Sequence, residues 1–177
     1  MALLNRSRPG WKQRARVGAR LTVVMALAAT APCALAQVDE SRVKAAFVYN
    51  IVAFASWSGP KTSANLEICT GAGGALDHEM DALAGRSIGQ RRISVRRGIN
   101  TVHCDVVLHA GADDLDPAGL AQPVLVICDG CRPRDGLTAV VLVREGNRIR
   151  FDVDPEAAAR SGVSFSSQLL RLARRVM

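Results

Sequence analysis

The residues with the widest chemical scope in this 177-residue chain are its cysteines and histidines. Cys128-Asp129-Gly130-Cys131 is a C-x-x-C pair, the spacing used both for thiol exchange and for metal binding. Thiol exchange needs the attacking sulfur at a helix N-terminus, where the dipole lowers its pKa, whereas Arg132-Pro133-Arg134-Asp135-Gly136 reads as a loop. A disulfide, structural or redox-labile, is therefore the expectation for this pair. A four-cysteine zinc site would need a second close pair, which Cys69 and Cys104 do not supply, and His78, His103 and His109 show no H-x-x-x-H spacing. The sequence thus predicts no metal and no cofactor.

Two features hint at a ligand. His109 ends an apolar strand, at the edge where α/β proteins hold their ligands. Gly71-Ala72-Gly73-Gly74 lies between a strand and a helix, where bare backbone N–H groups could cradle a phosphate, although the P-loop lysine and the full dinucleotide fingerprint are missing. Gly73 and His109 are the ligand-binding candidates on this reading. Catalysis finds little support: there is no G-x-S-x-G elbow, and Asp113 and Asp114 sit in a loop without a matching acid elsewhere. No catalytic residue is assigned, and the chain reads as a non-enzyme.

The first 36 residues read as a secretory signal peptide cleaved after Ala36. Six basic residues from Arg6 to Arg20 precede an apolar run from Leu21 to Pro32 and the small-x-small site Ala34-Leu35-Ala36. The apolar run falls well short of the roughly twenty residues that span a bilayer. The charge argument changes once this head is set aside. The whole chain holds 23 basic and 16 acidic residues; removing the head leaves 17 and 16, so the basic balance is no argument for a nucleic-acid or anionic-membrane partner. Arg91, Arg92, Arg96 and Arg97 read as a solvated strand face.

Residues 37–177 make one domain and keep four cysteines, Cys69, Cys104, Cys128 and Cys131. Export to an oxidising compartment favours their pairing. Three pairings are possible. The locality of Cys128 and Cys131, with Gly130 to allow a tight ring, favours that bond and leaves Cys69 to Cys104, the alternatives remaining open.

The elements that must position these residues follow from periodicity. Val43, Ala46, Phe47, Ile51, Phe54 and Ala55 recur at three and four, predicting a mostly buried helix from Ser41 to Trp57 capped by Asp39 or Ser41. Ala75 to Leu83 is a second helix. Val106-Val107-Leu108 and Val124-Leu125-Val126-Ile127 are continuous apolar runs of the kind covered on both faces, with Asp113 to Leu120 as a short crossover between them. Arg91 to Val95 alternates as a half-exposed strand near an edge. Glu145-Gly146-Asn147-Arg148 turns Thr138–Val143 into Ile149–Val153 as a hairpin, Asp154-Pro155 opens a helix, and Ser166 to Val176 reads as a basic amphipathic helix. The whole predicts a single three-layer α/β/α, Rossmann-like domain with a mixed sheet ending in a β-hairpin.

The segment Val43-Lys44-Ala45-Ala46-Phe47-Val48-Tyr49-Asn50 to Trp57, the strand Cys104-Asp105-Val106-Val107-Leu108, and the ending Ile149-Arg150-Phe151-Asp152-Val153 through Ser166-Ser167-Gln168-Leu169-Leu170-Arg171-Leu172-Ala173 together resemble the YfiR family, also called DUF4154. The resemblance implies a periplasmic, non-enzymatic α/β protein, often dimeric. It implies binding to the periplasmic sensor domain of an inner-membrane diguanylate cyclase, whose output is cyclic-di-GMP, with the cyclase held off until an outer-membrane lipoprotein sequesters the repressor. Cys69 and Cys104 fit one of the family's disulfides. Arg171, Arg174 and Arg175 on the last helix are the partner-binding candidates. The alternative is a periplasmic small-ligand-binding accessory of another membrane sensor.

Overall fold

The computed structural model describes residues 32–59, 63–99, 103–111, 115, 123–132 and 136–177. Most of the signal-peptide expectation and nearly all of the Asp113–Leu120 crossover lie outside the described residues. In order, the elements are α1 (Pro32–Ala53), β1 (Ala55–Trp57), β2 (Asn65–Gly71), α2 (Gly74–Asp81), β3 (Ser87–Ile88), β4 (Arg91–Arg97), β5 (Val106–Ala110), β6 (Leu125–Asp129), β7 (Thr138–Glu145), β8 (Arg148–Val153), α3 (Pro155–Arg160), β9 (Val163–Phe165), α4 (Ser167–Leu172) and β10 (Arg175–Val176).

Eight strands form one mixed sheet in the order β10-β8-β7-β6-β5-β2-β4-β3. The five central strands, β4, β2, β5, β6 and β7, run parallel; the β7–β8 hairpin and the two-residue β3 add antiparallel pairs outside them. This is the single α/β domain with a mixed sheet that the sequence predicts. The continuous apolar runs are explained by cover on both sides. Leu125, Ile127, Val106 and Leu108 meet Val48, Ile51 and Val52 of α1 and Met80 of α2, while the alternate residues Val107, Val124 and Val126 join Cys69 and Cys104 in a second cluster. Val106, Val107 and Leu108 are all fully buried.

The local signals act as expected in several places. Glu145 pairs with Arg148 across Gly146-Asn147, a two-residue hairpin loop with Gly146 at φ 60°. Asp154 Oδ1 accepts from Ala157 N at 2.9 Å, with Pro155 at the first helical position. Leu76, Met80 and Leu83 are buried together. β4 is one strand in from the edge, with only β3 outside it.

Two helices differ in extent from the sequence reading. The first helix does not reach Trp57: it begins at Pro32, so Asp39 and Ser41 lie inside it, and it ends at Ala53. Ala55–Trp57 is instead a strand, antiparallel to Val163–Phe165. Its half-buried, exposed, half-buried alternation has a period of two, and the hydrogen bond from Trp57 Nε1 to the Asp105 carbonyl at 3.0 Å holds it there. At the other end, the helix expected over Ser166–Val176 stops at Leu172, and Arg175–Val176 pairs in parallel with β8.

Cys69 is bonded to Cys104 across 35 residues, joining the middle of β2 to the residue two before β5. Both are buried in the second cluster. Replacing both by alanine releases a loop of that length in the unfolded chain, which lowers unfolding free energy by about 4 kcal/mol. Denaturant unfolding curves, fitted for both midpoint and m-value, measure this, and a loss below about 1 kcal/mol would show that the bond does not restrain the unfolded chain.

Candidate functional site

At the C-terminal ends of β2 and β6, the middle of α1 and the β7–β8 hairpin close around a cleft of about 850 Å³. Gly73 and Gly74 line it, with φ of 83° and 58°, and α2 starts there without a side-chain cap. An ion-pair chain forms one wall. Lys44 Nζ donates to Glu40 Oε1 at 2.8 Å and to Asp129 Oδ2 at 3.0 Å, and Arg144 Nη1 reaches Glu40 Oε2 at 2.9 Å. Burial works to lower the Lys44 pKa, but the hydrogen bonds to Glu40 and Asp129 outweigh it, and the pKa goes up. The Lys44 hydrogen bond holds the Glu40 carboxyl below its usual range, against the opposing effect of burial. The cations of this wall are therefore matched by carboxylates, and Arg148 and Arg150 are exposed at the rim.

The structure separates the two ligand candidates. Gly73 lines the cleft, whereas His109 points to the opposite face of the sheet, the side of Val107 and Val126. There the parallel register sets His109 beside Cys128. Cys131 returns to the same place after Gly130, at φ 73°, reverses the chain, and its sulfur is bonded to that of Cys128. A ligand atom of His109 and the two sulfurs all lie within 4.8 Å of one another. Sequence reasoning missed this cluster because its signal is register, not spacing: two strands must pair before position 109 meets position 128. His78 and His103 are exposed and stand apart from it.

The arginine cluster is largely committed to structure. Arg91 bonds the Asn65 carbonyl and Asp105 Oδ2, Arg96 bonds Glu67, and Arg97 bonds Asp81. The C-terminal segment differs. Three of the four large apolar residues that stay exposed among the described residues are here: Leu172 at 59 %, Val176 at 50 % and Met177 at 51 %. Arg171 and Arg175 are exposed beside them.

A family model described as YfiR/HmsC-like, DUF4154, matches residues 41–174. The chain belongs to this family. No curated protein matches it closely enough to count as a relative. YfiR/HmsC-like proteins form a regulatory, non-catalytic, periplasmic family tied to cyclic-di-GMP signalling, which fixes the coarse function. None of the described helices is long and apolar enough to cross a membrane.

Within this YfiR/HmsC-like chain the three arginine candidates are not equivalent. Arg174 forms a fork on Asp152, Nε to Oδ1 at 2.8 Å and Nη2 to Oδ2 at 2.5 Å, and so clamps the C-terminal segment to β8. Hydrogen bonding from Arg174 holds the Asp152 carboxyl below its ordinary value, against the burial that would raise it. A lowered folded pKa stabilises the protein at pH values above the unfolded carboxylate pKa, and that contribution is lost as pH falls through the folded value. Arg174→Ala should therefore lower Tm at pH 7, with the gap to wild type closing as the pH falls below the ordinary carboxylate range. Thermal melts across that range check it; a gap that persists in acid would assign Arg174 a role other than holding Asp152.

Proposed function

We propose that this protein binds the periplasmic sensor domain of a membrane-bound diguanylate cyclase and represses it, without catalysing a reaction of its own. The observation that carries this reading is the family match over residues 41–174. On this reading the chain is exported by a leader cleaved after Ala36, works as a homodimer, and is withdrawn from the cyclase by an outer-membrane lipoprotein. Repression follows from linkage: a bound protein shifts the cyclase only to the extent that it prefers the inactive state.

The C-terminal segment suits the contact. Leu172, Val176 and Met177 expose apolar area that gains by burial, and Arg171 and Arg175 flank it with charge free of the clamp that occupies Arg174. The exposed side of α1, with Arg42, Val43, Ala46 and Asn50, offers a second surface.

Deletion of the gene should raise cellular cyclic-di-GMP, and wild type supplied in trans should restore it; no rise on deletion would overturn the reading. Arg171→Glu with Arg175→Glu should weaken binding to the sensor domain at least about tenfold while leaving the chain folded. Unaltered affinity in that variant would move the contact to another face.

A further inference from the structure

We propose that the reduced form of this protein binds one zinc-like divalent d10 cation through Cys128, Cys131 and His109. The donor set is assembled by the fold and not by a local motif. Cys128 and Cys131 have the two-residue spacing of a zinc knuckle, and Gly130, with φ 73° and its N–H bonded to the Leu142 carbonyl at 2.9 Å, holds the turn that brings the second sulfur back. His109 is the register neighbour of Cys128 on the adjacent parallel strand and is 3 % exposed. The three ligand atoms span no more than 4.8 Å. Two sulfurs about 2.3 Å from a tetrahedral zinc lie about 3.8 Å apart, so the cluster is near coordination size once the sulfur–sulfur bond is open.

The imidazole is already oriented. His109 Nδ1 lies 2.9 Å from the Gly111 carbonyl, an acceptor only, so Nδ1 carries a proton, and in the neutral ring it is Nε2 that offers a lone pair. A backbone carbonyl on the far nitrogen is the support that metal-binding histidines use to fix tautomer and ring plane. Charge favours a divalent ion. Two thiolates and one neutral imidazole bring a charge of −2, which a divalent cation cancels in a place where Cys128 is fully buried, whereas copper(I) would leave a net negative charge there. The fourth position is left to water or an outside donor.

The steps balance with a dithiol as reductant. The dithiol loses two electrons and two protons to become a disulfide, and the Cys128–Cys131 bond takes them up to become two thiols. Cation binding then releases both protons as the two thiolates form, and the imidazole binds in its neutral form.

The full chain is reduced with a phosphine, which does not compete for zinc, and titrated with zinc(II) against a chromophoric chelator, thiols being counted in parallel. The expected result is one zinc per reduced chain and none per oxidised chain. Cys128→Ser with Cys131→Ser abolishes uptake, His109→Ala weakens it at least about tenfold, and His103→Ala leaves it unchanged. Cobalt(II) in the reduced wild type should show thiolate charge-transfer absorption that the Cys128→Ser, Cys131→Ser variant lacks. A measurement that needs no variant follows the alkylation of Cys131 in the reduced wild type, which bound zinc should slow. Equal zinc uptake by the oxidised and reduced chains, wild-type affinity in His109→Ala, or alkylation indifferent to zinc each overturns the site. Preferential uptake of copper(I), with zinc unable to compete, overturns the divalent assignment.

Discussion

Asp105 is where the sheet is fastened. Its carboxylate accepts from the Glu67 backbone N–H at 2.8 Å and from Arg91 at 2.6 Å, and its carbonyl accepts from Trp57 Nε1 at 3.0 Å and Leu125 N–H at 2.9 Å. One residue thus links β1, β2, β4 and β6 at the point where β5 begins, and the Cys69–Cys104 bond lies beside it in the chain. Parallel strands have no hairpin to set their register, so each depends on contacts of this kind at the strand starts. The apolar runs that follow supply the burial energy, and the polar junction at Asp105 decides which strand lies beside which.

At the opposite end of the sheet, register is converted into side-chain chemistry. The pairing that seats Leu108 against Ile127 also seats His109 against Cys128, on the other face and one residue later. Lys44 ties α1 to Asp129 at the end of β6. The helix face and the buried cysteine–histidine cluster are therefore fixed to adjacent residues of one strand, facing opposite sides of the same sheet.

Much of this architecture was legible in the sequence wherever the signal was local. The Glu145–Arg148 turn, the Asp154-Pro155 helix start and the two-sided strands at Val106 and Val124 each carry their own chemistry within a few residues. The helix limits were less legible. Ala55 and Trp57 suit a helical stripe and a strand alike, and only the partner strand at Val163–Phe165, far along the chain, decides for the strand. Arg174 and Arg175 look like the basic end of a helix until Asp152 and the free edge of β8 draw them into the sheet. The meeting of His109 with Cys128 and Cys131 was invisible for the same reason, since no spacing rule spans a crossover between parallel strands.

The pairing of β1 with β9 has a temporal meaning. Ser58 donates from its backbone N–H and its side chain to the Gly162 carbonyl across a separation of 104 residues. Gly162 itself, at φ 67°, lies so close to Pro123 and Ser58 that an added Cβ would fall 2.7 Å from each. Closure of this corner therefore waits until residue 165 is available, long after the apolar strands β5 and β6 exist as chain. With so many contacts between distant residues, folding is slow relative to a helical protein of this size. The early strand β1 is thus a dependent of a late one, and the period for which it stays unpaired is set by the time needed to deliver β9.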